Sequence, residues 1–411
     1  MSIDKKNVIW NMIGATVSAF NSLFFAIIVT RINGIDDAGI FAYCFSMGGI
    51  LYCIANYCGR TFQVTDISKK NSDTDYIYNR VITCIIMIVI AILFVLIKGY
   101  DIYKCMIFVI LALFKGAEAF ADVLYGIIQK NEQLYKAGKS MFIKAIVSLA
   151  SLLIIDIITK DLILSCLSLL IVHIVFIIIY DFKNIRKVKL TKTKFSNKAN
   201  KNLLKAGFFT FTLSFLSLYL TNIQRYAIDD LLENSFQTIF GIIIMPAAVM
   251  SLLAIYIIQP LLTRITGCIE NKKYEEFKSI IKKIVFLILI LGVVVTLVAC
   301  ILELPVLEFI YGIELDEYYA SMMIIVVGSI FYSLLTILSA ILIAMRKTFS
   351  QSIIYGLVSI VSTILSYLLI SNMEIYGASI AYSITMFIIA LIFLIYTLIN
   401  MKKYKKDWKE G

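Results

Sequence analysis

Three full charges stand in one apolar stretch of this chain, Phe108 to Gln129, FVILALFKGAEAFADVLYGIIQ. Lys115, Glu118 and Asp122 are spaced i, i+3, i+7, so a helix turning 100° per residue sets them on one stripe. Tyr125 and Gln129 fall on the same stripe. Such a set offers an ammonium for a phosphate oxyanion, carboxylates that can carry a proton, and a phenol and an amide for hydroxyl groups. The competing reading is a permanent ion pair of Lys115 with Glu118 or Asp122 that holds helices together, because buried charges are normally paired. The two readings coexist if a cargo displaces the carboxylate. A charge at bilayer depth costs about 2.5–3.5 kcal/mol on insertion scales, so the stripe must face protein or water. A polar stripe inside a helix bundle marks a solute pathway. Gly116, Ala117, Ala119, Ala121 and Gly126 keep the helix slim for close packing.

The rest of the chain is built to hold such a helix in a membrane. Of its 411 residues 61% are hydrophobic and 16% charged, a balance foreign to soluble proteins of this size. About twelve apolar runs are long enough to span a bilayer, where about 20 residues suffice. They lie near 8–30, 38–58, 79–97, 104–128, 141–158, 162–180, 203–224, 237–262, 284–302, 319–345, 351–371 and 378–400. The first run is too long for a cleaved leader and reads as a retained helix. The expected fold is therefore all-α and polytopic, with two six-helix lobes around a central cavity. Residues 1–180 form the first lobe and 203–411 the second, which ends in a basic cytoplasmic tail. The basic segment 181–202 joins them and reads as a solvated inner loop touching anionic headgroups, with a regulatory docking site as the minority alternative. Six spans on either side of an inner loop is the pattern of repeat-built transporters.

The net charge of +11 does not indicate nucleic-acid binding, because the basic residues alternate between loops. With the N-terminus inside, the inner segments hold 32 Lys and Arg, including Lys69, Lys70 and Arg80. The outer segments hold five: Arg31, Lys98, Lys104, Lys160 and Arg225. That bias puts both termini in the cytoplasm. The outer loops carry acids instead, among them Asp36, Asp229, Glu303 and Glu314. The eight Cys lie mostly within spans without CxxC spacing and read as small apolar fillers. A single His excludes a His-based metal cluster, and no cofactor is expected. Gly138-Lys139-Ser140 resembles the end of a P-loop, but the first glycine would fall at Gln133 and no strand precedes it. With no ATP site and no large outer loop for sugar transfer, the chain is not expected to be an enzyme.

Other polar residues in or beside the spans are weaker candidates for the same pathway. Arg31 and Arg225 close the first and seventh spans on the outside, where headgroup snorkelling is the simpler role. Arg60 ends the second span on the inside, placed to meet a phosphate entering from the cytoplasm. Asn222, Gln224 and Gln259 could hydrogen-bond sugar hydroxyls or cross-link helices. His173, alone in the sixth span, reads as a packing group and ranks below the fourth span.

Several stretches resemble the polysaccharide exporters of the O-antigen flippase type, a branch of the superfamily that also holds multidrug extruders and lipid II flippases. They are Val29-Thr30-Arg31-Ile32-Asn33-Gly34 with Ala38-Gly39-Ile40-Phe41, the run Ala121 to Lys130, Arg225-Tyr226 through Phe240-Gly241, and Tyr376 to Ala381. The resemblance implies a twelve-helix, two-lobed fold working by alternating access in the cytoplasmic membrane. It implies a lipid-linked oligosaccharide as cargo, with undecaprenyl pyrophosphate as the usual carrier, and other polysaccharide assembly proteins as partners. The first span has no acid, unlike many drug exporters, and the arginine cluster of lipid II flippases is absent. Both departures favour the polysaccharide branch. An ion-coupled drug or solute antiporter of the same fold is the rival expectation, and a membrane glycosyltransferase or polymerase a more distant one.

Overall fold

A computed structural model describes residues 3–66 and 71–410, without the side chains of 259, 260, 263, 303 and 406–410. Lys69 and Lys70, and the side chains of Gln259 and Glu303, lie outside what is described. The described chain is helical and forms two compact units, Met1–Phe215 and Leu216–Gly411. The first contains α1 (Ile3–Asn33), α2 (Ile35–Ala55), α3 (Arg60–Thr65), α4 (Asp73–Lys98), α5 (Ile102–Lys130), α6 (Leu134–Thr159), α7 (Leu162–Phe176) and α8 (Phe182–Ile185). The division between the units falls within α9 (Asn197–Leu231). The second unit continues with α10 (Asn234–Ile243), α11 (Met245–Glu270), α12 (Tyr274–Val298), α13 (Leu304–Tyr311), α14 (Tyr319–Ala344) and α15 (Thr348–Glu410).

Among the described residues nine helices are long and apolar enough to cross a membrane. Three features relate that number to the sequence's twelve runs. Helix α15 is 63 residues long and leaves helical geometry at Glu374, so it holds two runs end to end. Helices α10 and α11 form a bent pair that passes the same test together. Helix α5 is long enough, but its charges remove it from an apolarity test. The protein is all-α and multi-pass. Its outward faces are those of a lipid-embedded molecule: on α4, Ile85, Leu96 and Ile97 lie bare, which only a bilayer makes favourable.

Local sequence explains how the first unit closes. Asn33-Gly34 makes the turn after α1, with Gly34 at φ 91°, a region other residues avoid. Helices α1 and α6 pack with Gly14 against Gly138, each so close to the other's backbone that no Cβ would fit. Asn21 then donates to the Ala145 carbonyl across the same seam, at 3.0 Å. Ser72 and Asp75 form a capping box at the start of α4.

One basic residue assigned to an inner aqueous segment is in fact inside the protein. Arg80 is 2% exposed. Its Nη1 donates to Ala55 O at 2.7 Å and its Nη2 to Cys58 O at 3.2 Å. It satisfies carbonyls that the end of α2 leaves without intrahelical partners, where a cation is also favoured by the helix dipole. Lys144 is likewise buried in α6, for reasons given below. Replacing Arg80 with Ala should cost about 2–4 kcal/mol, the sum of two charge-assisted bonds and the orphaned carbonyls. The loss is read as a lower melting temperature of the purified protein in detergent.

Candidate functional site

Helix α5 presents its charged stripe to several neighbours. Lys115 meets Glu118 one turn on, Nζ to Oε2 at 2.7 Å. The ammonium also stands over the Phe45 ring of α2, 4.2 Å from its centroid, a favourable cation–π placement. Gly48 of α2 makes room for the lysine stem: a Cβ there would come within 3.1 Å of Lys115 Cγ. The other oxygen of Glu118 lies 3.9 Å from His173 Nε2 on α7. His173 Nδ1 is 3.0 Å from the Leu169 carbonyl, which can only accept, so Nδ1 carries the hydrogen there. Nε2 is then the nitrogen that gains or loses a proton, and it faces the carboxylate. The ring packs edge-on against Phe114 at 4.5 Å.

One turn further, Asp122 turns to α3. Its Oδ2 accepts from the Arg60 amide at 3.1 Å and its Oδ1 lies 3.7 Å from Arg60 Nε. Arg60 is thus held by a carboxylate at the start of a short helix. A cargo phosphate meeting Arg60 must compete with Asp122.

Tyr125 points into a second, deeper cluster. Its hydroxyl is 3.0 Å from Ser140 Oγ on α6. Ser140 in turn donates to Asp181 Oδ1 at 2.6 Å, and Lys144 Nζ sits 3.0 Å from Asp181 Oδ2. The same ammonium lies over the Tyr125 ring at 4.9 Å. Asp181 is 0% and Lys144 4% exposed. A buried charge pair is tolerable only when its remaining lone pairs and protons are bonded, and here the serine supplies that bond to the carboxylate. Asp181 closes a π-helical turn, Ile177–Asp181, that widens the register after α7. Such turns are inserted where a side chain must be re-aimed.

Of the residues singled out from the sequence, Lys115, Glu118, Asp122, Tyr125 and Arg60 come together along α5 and its partners. Gln129 is half-buried near the end of the helix, its carbonyl accepting from the Glu132 amide at 3.0 Å. Arg31 is exposed at the end of α1. Asn222, Gln224 and Arg225 belong to the second unit. Asn222 bonds back to the Leu218 carbonyl of its own helix at 2.9 Å. Gln224 is buried, 3.5 Å from Ser366. Arg225 does not reach outward as a snorkelling side chain does: it lies over the Phe240 ring, 5.7 Å from the centroid, with Nη1 shut from solvent. Lys144, Asp181 and Ser140 are additions from the structure, and His173 gains importance from it. The available signal was a full charge at each edge of the sixth-span hairpin, Lys144 just inside one apolar run and Asp181 just past the next.

No family model matches the chain. It is similar to the capsular polysaccharide biosynthesis protein CapF of Staphylococcus aureus, 26% identical over 386 residues, covering 93% of this chain and 96% of that protein. Among solved structures it resembles the lipid II flippase MurJ in an inward closed conformation, with a TM-score of 0.73 at 16% identity, covering 97% of this chain and 90% of that one. It also resembles the Vibrio cholerae MATE transporter VcmN in its bent form, with a TM-score of 0.60 at 12% identity over 98% of each chain. The chain has the fold of these transporters, and the resemblance to polysaccharide exporters drawn from its motifs is matched by an end-to-end relative.

Proposed function

We propose that this protein is a flippase that carries a lipid-linked oligosaccharide from the inner to the outer leaflet of the cytoplasmic membrane, by alternating access, for surface polysaccharide synthesis. The observation that carries the reading is the similarity to a capsular polysaccharide biosynthesis protein along nearly the whole of both chains. A fold shared with a lipid II flippase supports it. In this reading both termini are cytoplasmic, and the head group follows polar side chains while the prenyl tail stays in lipid. Lys115 receives a phosphate of the carrier, probing it as a point charge and exchanging its bond to Glu118 for one to the cargo. Glu118, released, is then free to take a proton from water. An undecaprenyl pyrophosphate carrier fits this scheme.

Deleting the gene in a host with no second flippase should leave lipid-linked oligosaccharide on the inner leaflet and deplete surface polysaccharide. Lipid extraction and surface staining measure both. The MATE likeness favours one rival, ion-coupled efflux of cationic drugs. Normal surface polysaccharide in the deletion strain, together with heightened sensitivity to cationic dyes, would overturn the flippase reading in favour of that rival.

A further inference from the structure

The second unit hides its polar groups differently from the first. Among the described residues its fully buried polar side chains are all neutral, including Gln224, Gln237, Ser333, Gln351 and Ser366. Arg225 on α9 is half-buried, and its Nη1 is shut from solvent. An arginine stays protonated in any protein environment, so it cannot escape the cost of burial by losing its proton. A buried cation left unpaired costs several kcal/mol. Yet among the described residues no carboxylate lies within ion-pair distance of it: its titratable neighbours are two phenols, Tyr226 and Tyr311. Nη1 is buried and makes no hydrogen bond among the described residues.

The groups packed against that guanidinium offer it no acceptor among the described residues. One face lies over Phe240. At Gly241 there is no side chain, and a Cβ placed there would come within 3.4 Å of both Nη1 and Nη2. Gln237, itself 0% exposed, fixes the backbone by donating to the Arg225 carbonyl. The Tyr311 hydroxyl is buried and, among the described residues, finds only the Met245 thioether, at 3.4 Å, a weak acceptor. A planar fork of donors beside a phenol with a poor partner is an arrangement that an oxyanion completes.

We propose that Arg225, with Tyr311 beside it and no side chain at Gly241 to cover its fork, forms an anion site within the second unit that takes a carboxylate or phosphate oxyanion. The export reading supplies two sources for that anion, an acidic sugar of the cargo or the phosphate of its carrier. The site itself does not depend on that reading.

The test uses the purified full-length protein in detergent at low chloride and measures its melting temperature. Sodium glucuronate, inorganic phosphate and inorganic pyrophosphate are titrated separately, against sodium chloride at matched ionic strength. Wild type should gain about 3–6 °C in a saturable way with one of these probes and not with chloride. Arg225→Met should melt no lower than wild type without anion, since it removes a half-buried charge that has no carboxylate partner among the described residues, and should lose the response. Gly241→Leu keeps the cation but sets a side chain against both guanidinium nitrogens, and should lose the response too. A response to glucuronate alone assigns the site to an acidic sugar, and a response to the phosphates alone assigns it to the carrier. No saturable response in wild type, a response equal to that of chloride, or an undiminished response in Arg225→Met would each overturn the proposal. Binding that persists while the deletion strain keeps normal surface polysaccharide would leave the site standing and sink the export reading. Loss of surface polysaccharide without any anion response would do the reverse.

Discussion

Lys144→Met is expected to destabilise the first unit by about 3–5 kcal/mol, the cost of breaking a fully buried ion pair from one side. The expectation follows from what stays behind. Asp181 keeps a carboxylate that is 0% exposed and that, among the described residues, retains only the Ser140 hydroxyl as a donor. Of a typical domain's 5–15 kcal/mol that is a large part, so little folded protein should survive extraction in detergent. Asp181→Leu alone strands the ammonium and should be as damaging. The double variant Lys144→Met/Asp181→Leu replaces two charges with apolar groups of similar length. It should recover most of the stability, as buried pairs often do when exchanged together for well-packed hydrophobes. Recovery of monodisperse protein after graded heating measures all three. Because the Lys115–Glu118 pair is untouched, the double variant should also export. A single Lys144→Met variant that melts with wild type would show that the pair is not ionised in the protein.

Most of the elements were legible because apolar run length is a strong signal and bilayer thickness sets it. Helix α5 was legible for the opposite reason: charge inside an apolar run is costly enough that it must be placed with purpose. What the helical period could not give was the identity of each neighbour. Lys115, Glu118, Asp122 and Tyr125 do share a stripe, yet they meet α2, α7, α3 and α6 in turn. Arg80 reads as aqueous in one dimension because it stands at the end of an apolar run, and Lys144, inside a run, shows no partner in sequence. Their acceptors sit 25 and 37 residues away. The approach of Asp181 to Lys144 also depends on a π-helical turn, and no spacing rule in the run Ile177 to Asp181 announces one. Arg225 was visible as an outer arginine. That it turns inward over Phe240, with Gly241 alongside, exists only once α9 and α10 are folded together.

Lys115→Ala should abolish export while leaving the protein inserted and folded. Unlike Lys144, Lys115 is not sealed: its side chain is 13% exposed and that of its partner Glu118 27%, so either can meet a ligand and the orphaned carboxylate keeps some access to water. The fold cost of the single variant is accordingly small, on the order of 1 kcal/mol. The transport cost is large if the ammonium is the group that holds the phosphate, because nothing else on the stripe is a cation. Glu118→Gln should weaken export less, since the amide still accepts from Lys115 but can no longer carry a proton. Export is followed by the appearance of surface polysaccharide in a deletion strain carrying each variant, and folding by the yield of monodisperse protein. The decisive variant is Lys115→Ala/Glu118→Ala. A phosphate-binding role predicts that it stays inactive, because removing the carboxylate does not return a cation. Restored export in the double variant would mean the pair only held α5 in place, and the binding role would be wrong. The net charge of the stripe alone does not decide the matter, because one lysine against two acids leaves −1, which a cationic drug would also accept. The distinction comes from the sign of each loss. A cationic cargo would be moved better without Lys115, so a Lys115→Ala variant that exports dye faster than wild type would assign the stripe to the drug antiporter instead.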